Sequence, residues 1–354
     1  MDYSRFQHTR ITPKGEEKYQ IPLSTAIILE QAELYGVQWR SLPGTTLIEL
    51  NYQGKVKHFR YQISSETTDV GFHACLDKGV TQTLLKAAEV QVANGFKLSL
   101  EDSDEMYLEA FHKLHAPVVV KPSHGQQGKS VFVGISDEAA FLNAVQESKK
   151  FSSEEDAGVI IEEMFTGKEY RVTATREKVV AVLHRIPANV VGDGTKTVNQ
   201  LVDEKNADPR RGRDLNYALF IIEKNQAMTD TLAEQNLTLE SVPAAGQHVA
   251  LRKVSNIMQG GDSIDLTDKV HPSVKEIAVK AMNAIPGLGF AGVDFMSKDI
   301  FAEQTPDNYI IIEINSSPGI CIHEFPYEGQ KRYTDREFLF VMYPELRQEE
   351  PHGT

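Results

Sequence analysis

The sequence predicts an α/β protein with mixed sheets, and three observations support this fold class. Segments with helical spacing of apolar residues alternate with short strand-like segments along the chain. The length of 354 residues corresponds to about two domains and is enough to bury a large core. The shares of 41% hydrophobic and 25% charged residues are close to the average for globular proteins. The order of elements indicates a fold whose loops hold a large site.

Composition excludes several classes of protein. The 37 basic and 50 acidic residues give a net charge of −13, which argues against a general binder of nucleic acid or of anionic membranes. Two cysteines, Cys75 and Cys321, are too few for a disulfide framework or a Cys-rich zinc site. No apolar run approaches the roughly 20 residues of a membrane-spanning helix, and MDYSRFQHTR lacks the apolar core of a signal peptide. We therefore expect a cytoplasmic protein.

The N-terminal part is predicted to hold a polar arm, residues 1–20, and a small α/β unit, residues 21–76. Apolar residues recur at helical spacing from Ile21 to Gly36, and Gly36 is a plausible helix C-cap. The segments VQWRSL, TTLIELNY and KVKHFRYQI then alternate as strands do, with a hairpin turn in NYQGKV.

Helices and short strands alternate through the middle of the chain. Asp77 is predicted to open a helix that ends at Asn94-Gly95, and EDSDEMYLEAFHKL forms the next helix. The runs HAPVVVKP, SVFVGI and VIIEEMF are too short and too β-branched to be helices, so they are predicted strands. A helix over Asp137–Lys150 lies between the last two, with Ser136 as its N-cap.

The last part of the chain continues the alternation. EYRVTAT and KVVAVLHRI form a predicted hairpin, and a GDG turn then leads into an amphipathic helix. A helix over Pro272–Ile285 precedes two strands, FAGVDFM and NYIIIEIN. Residues 346–354 are predicted to form a polar tail.

The Gly-rich segment KPSHGQQGKS is the first feature with chemical meaning. Its GKS ending suggests a P-loop, but Ser123 stands where that motif requires glycine, and a strand follows instead of a helix. A Gly-rich loop between two strands can still cover phosphates, because its backbone N–H groups approach anions closely. An ordinary flexible hairpin loop is the alternative.

A set of oxygen ligands on two strands is the second feature. Glu313 and Asn315 lie two residues apart in one strand and therefore point to the same face. Asp294 lies in another strand that can pair beside them. Two carboxylates and an amide oxygen suit Mg²⁺ that also holds substrate phosphates. Solvent-facing carboxylates on an edge strand are the alternative. A third segment, IIEEMFTGKEYR, alone indicates only a strand that leaves the core.

Taken together and in this order, these segments resemble the ATP-grasp family of ligases. The segments are DKGVTQTLL, VVVKP with its Gly-rich loop, IIEEMFTGKEYR, GVDFM and EINSSPG. Three further stretches, beginning RIPANVVGDG, SVPAAGQHVALRKV and FPYEGQKRY, are similar to the branch that holds cyanophycin synthetases and bifunctional glutathione synthases. The resemblance covers roughly residues 60–345. It implies an ATP-grasp fold in which the short N-terminal α/β unit precedes an ATP-grasp domain over residues 77–345. A central lid subdomain is expected over about 105–165.

The resemblance implies that ATP phosphorylates a carboxylate to an acyl phosphate, which an amine attacks to give an amide. It also implies a role for each matching residue. Lys78 and Lys121 would contact ATP phosphates, and Gly125 and Gly128 would lie in the loop over them. Glu162, Glu163 and Met164 would face the adenine, and Glu169 would contact the ribose. The ligands of two Mg²⁺, with Mn²⁺ as the alternative, would be Asp294, Glu313 and Asn315. A substrate loop would contain Asn256, Gly260 and Gly261, and the candidate catalytic arginines are Arg171, Arg185 and Arg252.

The chain departs from the family pattern at Met258, at Gly292 and in the ending SSPGICIH, which differs from the asparagine-rich ending of the glutathione modules. Met258 stands where this branch carries a serine, in Asn256-Ile-Met258-Gln-Gly260-Gly261. Gly292 stands where D-alanine–D-alanine ligases carry an arginine, so the arginine that stabilises the acyl phosphate must come from elsewhere. These differences concern the substrates and leave the ATP chemistry in place.

The sequence thus predicts a stand-alone, ADP-forming ligase that joins amino acids, or a short peptide and an amino acid. Its expected partners are small carboxylate and amine substrates, without nucleic acid or membrane, and a homodimer is expected by analogy. A glutathione-synthetase-like reaction, with γ-glutamylcysteine and glycine, is the first alternative. A nucleotide-binding partner protein without catalysis and a phosphotransferase are the others.

Overall fold

The computed structural model describes residues 21–124, 130–151 and 157–351. The chain divides into two compact units, each assembled from separate stretches of sequence. Unit 1 comprises Met1–Glu66, Val180–Asp268 and Ser317–Thr354, and unit 2 comprises Thr67–Val179 and Lys269–Ser316.

Helices and strands alternate along the described chain. The helices are α1 (Leu23–Leu34), α2 (Asp69–Leu76), α3 (Lys78–Ala87), α4 (Asp104–His112), α5 (Glu138–Lys149), α6 (Val198–Asn206), α7 (Gln226–Ala233), α8 (Pro272–Ala284), α9 (Cys321–Glu324) and α10 (Thr334–Met342). The strands are β1 (Gln38–Ser41), β2 (Ile48–Tyr52), β3 (Lys55–Arg60), β4 (Ile63–Ser64), β5 (Gly95–Ser99), β6 (Val118–Pro122), β7 (Phe132–Ile135), β8 (Gly158–Glu163), β9 (Lys168–Thr175), β10 (Val179–Ile186), β11 (Asn189–Val191), β12 (Arg211–Gly212), β13 (Leu219–Phe220), β14 (His248–Ala250), β15 (Asp262–Asp265), β16 (Phe290–Ser297) and β17 (Tyr309–Asn315).

Unit 1 begins with α1 and an antiparallel sheet in the order β1-β2-β3-β4. Leu50 and Phe59 alternate with polar neighbours along their strands, so the sheet buries one face. Phe59 packs edge-on against Phe338 of α10, with ring centroids 5.6 Å apart. The predicted hairpin turn is confirmed, because Gln53 and Gly54 both adopt the positive φ that a two-residue hairpin requires.

The middle stretch of unit 1 has its own apolar cluster around α6, α7, β11 and β14. Thr197 and Gln200 form a capping box at the start of α6, as the GDGTKT segment indicates for a helix start. β10 pairs with β15 and β11 pairs with β14, in both cases antiparallel, whereas β12 and β13 are parallel. This stretch carries the predicted substrate loop.

Two buried carboxyl groups meet between α9 and α10 of unit 1. Glu324 and Asp335 are 0% and 1% exposed. Lys331 lies 2.8 Å from Glu324, and Thr334 donates its backbone N–H to the same carboxylate. Burial, and then the charge of Glu324, raise the pKa of Asp335 well above 3.8. Burial and the neighbouring carboxylate thus favour the protonated form of Asp335, whose side chain hydrogen bonds to Glu324.

We expect Asp335→Asn to stabilise the protein at pH 8 but not at pH 4. When folding raises the pKa of an acid, the free energy of unfolding falls as the pH rises. This decrease begins at the pKa of the unfolded state and continues up to the pKa of the folded state. Asn is always neutral and retains a donor for Glu324, so the variant should gain on the order of 1–2 kcal/mol at pH 8. Urea unfolding of both proteins at the two pH values measures this difference. Equal gains at pH 4 and pH 8 would show that Asp335 is ionised in the folded protein.

The first sheet of unit 2 has the strand order β5-β8-β6-β7, and all its pairs are antiparallel. Val120 and Ile161 point to one face, which α4 and α5 cover, and Phe111 stacks on Phe141 in that layer with centroids 4.5 Å apart. The opposite face carries polar side chains such as Lys121 and Glu162.

The second group of strands in unit 2 has the order β9-β16-β17, again antiparallel. Phe290, Val293 and Phe295 of β16 are at most 1% exposed, in line with its continuous apolar pattern. A bulge interrupts the β16–β17 ladder between Asp294 and Phe295. This bulge lies at the residues for which the sequence predicts metal binding.

Several element predictions were wrong. The helix opened by Asp77 ends at Ala87 instead of Asn94, because Glu89 adopts a positive φ and the backbone of Gln91 hydrogen bonds to Ile311. The side chain that caps α5 is Asp137 instead of Ser136. The residues after Asn94 form β5, and α2, α7 and α10 were not predicted. Leu346, in the predicted polar tail, is fully buried.

Within residues 21–124, 130–151 and 157–351, no helix combines the length and the apolar content that crossing a bilayer requires.

Candidate functional site

The predicted oxygen ligands of unit 2 lie on one face of neighbouring strands. Asp294 of β16 is directly opposite Glu313 of β17, and Gly292 is opposite Asn315. Arg171 of β9 is opposite Asp294 on its other side. Directly paired residues in an antiparallel ladder point to the same face, and residues two apart share it. The expectation that Asp294 lies beside Glu313 and Asn315 is confirmed.

Arg171 and Asp294 form a buried ion pair in this row. Their side chains are 8% and 6% exposed, and Nε of Arg171 donates to Oδ1 of Asp294 over 2.5 Å. Burial acts to lower the pKa of Arg171, but the charge and hydrogen bond of Asp294, with the charge of Glu313, outweigh it and raise that pKa. The guanidinium is thus a permanent cation beside both carboxylates, where it stabilises anionic groups.

Lys78 lies at the first turn of α3, close to this row. Its Nζ is 3.7 Å from Oε2 of Glu313, and its side chain is 12% exposed. Asp77 caps the helix by accepting from the N–H groups of Gly79 and Val80. Burial lowers the pKa of Lys78, against the charge of Glu313. A helix N-terminus with a lysine favours a bound anion such as a phosphate.

Lys121 and Glu162 form a second buried ion pair in unit 2. Lys121 of β6 donates to Oε1 of Glu162 of β8 over 2.5 Å, and the two side chains are 4% and 8% exposed. Gln82 of α3 donates to the other oxygen of Glu162 over 2.9 Å. Both residues point away from the apolar layer, since Val120 and Ile161 face that layer. Lys121 and Glu162 were predicted from the sequence, whereas Gln82 was not, because its only signal there is its position in a helix.

The other residues predicted at the adenine and the ribose differ in their surroundings. Glu163 accepts from the backbone and the ring of His115, at 3.0 and 2.7 Å. These contacts and that of Asn94 lower the pKa of Glu163 against the effect of burial. Met164 follows β8, and Glu169 lies in β9 opposite Met296. Gly125 and Gly128 fall in residues 125–129, outside the described part of the chain.

The donor set on β16 and β17 fits a divalent cation. Two carboxylates and an amide are hard oxygen donors, the type that Mg²⁺ and Mn²⁺ take in proteins. Among the described residues no three His, Cys, Asp or Glu side chains come together as a metal-binding group. Burial and the charge of Glu313 raise the pKa of the nearby Cys75 thiol to about 12.

The predicted substrate loop lies in unit 1 as a short turn. Asn256 caps the 3₁₀ turn Ile257–Gln259 by accepting from the N–H of Met258 over 2.9 Å. Gly260 has a φ of 91°, and a Cβ there would lie 2.7 Å from the side chain of Ile222. Glycine is therefore required at this position. The side chain of Met258 is exposed.

The two candidate arginines of unit 1 have different surroundings. Arg252 is 7% exposed and donates to the backbone of Leu251 and Glu223 and to Asn225, the cap of α7. These contacts are typical of an arginine that braces loops. Arg185 is half-buried on β10, opposite Ser263.

A buried cluster that the sequence analysis missed holds the end of the substrate loop. Arg211 donates to Asp262 and to the carbonyl of Gly260, and Lys205 donates to Asp262 over 2.6 Å. Both cations lie against the ring of Tyr327, at 5.4 and 4.9 Å from its centroid. The charged loop DPRRG was the only signal in the sequence.

A groove of about 1310 Å³ lies within unit 1, next to this cluster. Ile186 and Asp262, which are paired across β10 and β15, both line it. Arg185 and Ser263 form the neighbouring pair and point to the other face of the ladder. None of the five site residues predicted in unit 1 lines the groove. These residues are Arg185, Arg252, Asn256, Gly260 and Gly261.

Comparison with known proteins identifies relatives over most of the chain. No protein-family model matches it. The chain is 34% identical over 326 residues to the glutathione biosynthesis bifunctional protein GshAB of Clostridium perfringens, a match over 91% of this chain and 41% of that protein. It is 32% identical over 325 residues to the cyanophycin synthetase of Nostoc sp. PCC 7120, over 91% of this chain and 35% of that protein. The chain thus spans less than half the length of these relatives.

A solved structure supports the same grouping. The bifunctional glutathione synthetase of Pasteurella multocida superposes with a TM-score of 0.73 and 29% sequence identity, over 97% of this chain and 44% of that chain. The similarity therefore extends through nearly all of the chain.

Proposed function

The chain belongs to the ATP-grasp family of ligases, and on that premise we propose that it is an ATP-dependent carboxylate–amine ligase. ATP-grasp ligases use ATP and a divalent metal. The proposed reaction forms an amide or peptide bond, ADP and phosphate from a carboxylate and an amine, through an acyl phosphate. The chain spans only part of its relatives, so their activities and substrates are not simply carried over to it.

The observation that carries this proposal is the row of Arg171, Asp294 and Glu313 on one sheet face, with Lys78 3.7 Å from Glu313. Two carboxylates and one cation in this row, with a second cation beside it on α3, could supply both metal ligands and partners for phosphate oxygens. A divalent cation held there would neutralise phosphate charge and orient the reacting groups.

We propose the following division of roles within unit 2. Lys78 and Lys121 contact the phosphates of ATP, and Glu162, Glu163 and Met164 face the adenine. Glu169 accepts hydrogen bonds from the ribose. Arg171 is the candidate for the reacting centre, because it lies in the carboxylate row and is always charged. Asp294, Glu313 and Asn315 are the proposed ligands of Mg²⁺, for which we infer two ions, with Mn²⁺ as the alternative.

For unit 1 we propose that Asn256, Gly260 and Gly261 shape a substrate loop. Arg185 is a second candidate for a carboxylate contact, whereas the contacts of Arg252 support a bracing role. The exposed apolar Met258 replaces the hydroxyl of related sequences. This difference favours amino acids, or a short peptide and an amino acid, over γ-glutamylcysteine with glycine.

The decisive experiment measures ADP release with Mg-ATP against amino acids and short peptides, singly and in pairs, with γ-glutamylcysteine and glycine included. Release that requires one pair, and a product lighter than the pair by one water, would establish the ligase and its substrates. Release that depends on γ-glutamylcysteine and glycine would establish the glutathione-synthetase-like alternative. ADP release with a phosphorylated product and no need for an amine would indicate a phosphotransferase.

Tight ATP binding without turnover against any pair would favour the non-catalytic alternative. The cytoplasmic location, the homodimer and the lack of nucleic-acid and membrane partners remain predictions.

A further inference from the structure

Lys97 was not among the predicted site residues, yet its position relates it to the proposed nucleotide site. Lys97 of β5 is opposite Ile160 of β8, and Ile160 is opposite Lys121 of β6. Paired residues share a face, so Lys97 and Lys121 both point away from the apolar layer of this sheet.

The ammonium group of Lys97 contacts the cap of the helix that carries Lys78. Its Nζ lies 2.5 Å from Oδ2 of Asp77, while Oδ1 of Asp77 accepts from the N–H of Gly79 over 2.7 Å. The side chain of Asp77 is 9% exposed and that of Lys97 30% exposed. The pair is thus partly buried directly beside Lys78.

Two glycines leave a narrow passage for the Lys97 side chain. A Cβ on Gly79 would lie 2.6 Å from Cδ of Lys97, and a Cβ on Gly158 would lie 3.1 Å from its Cε. Larger residues at either position would force the lysine chain to move. Glycine at both positions therefore leaves room for the Lys97 side chain to reach Asp77.

We propose that Lys97 is a positioning residue of the nucleotide site, which neutralises Asp77 so that the phosphates approaching Lys78 meet no uncompensated carboxylate. This inference rests on the proposed function. Asp77 is needed as the helix cap, but its negative charge repels phosphate. Lys97 cancels that charge and leaves the capping oxygen in place. Its expected effect is on nucleotide affinity, and it acts through Asp77 and Lys78.

The test is the dissociation constant of Mg-ADP, measured by calorimetry without other substrates. Lys97→Met should weaken binding by roughly tenfold to a hundredfold at low salt, because Asp77 loses its 2.5 Å ammonium partner and keeps the ring of His124, 3.9 Å away, as a basic neighbour. The loss should shrink at high ionic strength, since salt screens the repulsion. The matched control is Lys86→Met, a change of the same type at an exposed position of α3, the helix that carries Lys78. This variant should bind Mg-ADP as the wild type does.

A double variant separates electrostatics from a simple loss of packing. In Asp77→Asn with Lys97→Met, the amide oxygen still caps α3 but carries no charge, so binding should return to within about threefold of the wild type. The double variant carries neither the charge of Asp77 nor that of Lys97. It is therefore expected to fold, and its affinity can be measured even if Lys97→Met alone unfolds. Unfolding midpoints without nucleotide are measured in parallel.

Two results would overturn the inference: wild-type affinity in Lys97→Met, or a loss that Asp77→Asn does not relieve. Absence of Mg-ADP binding in the wild type would instead contradict the proposed function, so the two failures are distinguishable.

Discussion

Replacing Glu313 by Gln is expected to reduce ADP formation at least roughly a hundredfold while the protein remains folded. The change removes one of the two carboxylate charges from the proposed metal set and keeps the size of the side chain. The Glu313 side chain is 32% exposed and its contact with Lys78 is long, at 3.7 Å, so the free energy of unfolding should change by less than about 0.5 kcal/mol. The measurement combines ADP release, Mg-ATP binding and urea unfolding.

The matched control is Glu303→Gln, on the loop that joins the same two strands. Glu303 is exposed, and the hydrogen bond described for it uses its backbone carbonyl. The same chemical change there should leave both activity and stability as in the wild type. Wild-type activity in Glu313→Gln would contradict its role as a metal ligand, whereas an unfolded variant would show that Glu313 serves the fold.

Replacing Glu162 by Met is expected to cost about 3–5 kcal/mol of stability, because it leaves the ammonium group of Lys121 buried without its partner. Lys121 is 3% exposed, and Glu162 accepts its 2.5 Å hydrogen bond. Adding Lys121→Met should restore most of the lost stability, since two apolar side chains of similar volume replace the pair. The double variant should still bind Mg-ATP far more weakly than the wild type, because it lacks the lysine that we propose contacts the phosphates.

An exposed pair at the same separation provides the control for this prediction. Lys150 and Glu147 also lie 2.5 Å apart, but their side chains are 64% and 38% exposed. Glu147→Met should therefore cost less than about 1 kcal/mol. Urea unfolding of the four proteins gives the comparison. A loss in Glu162→Met no larger than in Glu147→Met would mean that the buried pair contributes little, and full Mg-ATP affinity in the double variant would exclude Lys121 from the nucleotide site.

Much of the candidate site was predictable because it depends on residues that are close together in the sequence. The spacing of Glu313 and Asn315 alone places them on one face, since side chains alternate along a strand. The resemblance to ATP-grasp ligases identified Lys78, Lys121 and Glu162, and the fold class is supported by the relatives. Helix ends were less predictable, because the end of α3 depends on the contact of Gln91 with Ile311.

Residues that act through long-range contacts were not predictable. Gln82 contacts Glu162 across 80 positions, and Arg211 contacts Asp262 across 51. Such partners have no signature of their own, because a polar residue on a helix or in a loop is usually solvated. Lys97 is another case, since its role depends on two glycines that are distant in sequence.

The sequence by itself determined the type of most elements, the shared face of Glu313 and Asn315, and the family, because these depend on periodicity, strand alternation and ordered motifs. The tertiary structure alone decided which charges are neutralised: Asp294 by Arg171, Glu162 by Lys121 and Asp77 by Lys97. It also decided that three separate stretches build unit 1. The physical reason is that the energy of a charge depends on its burial and its partner, and both are set only when distant segments pack together.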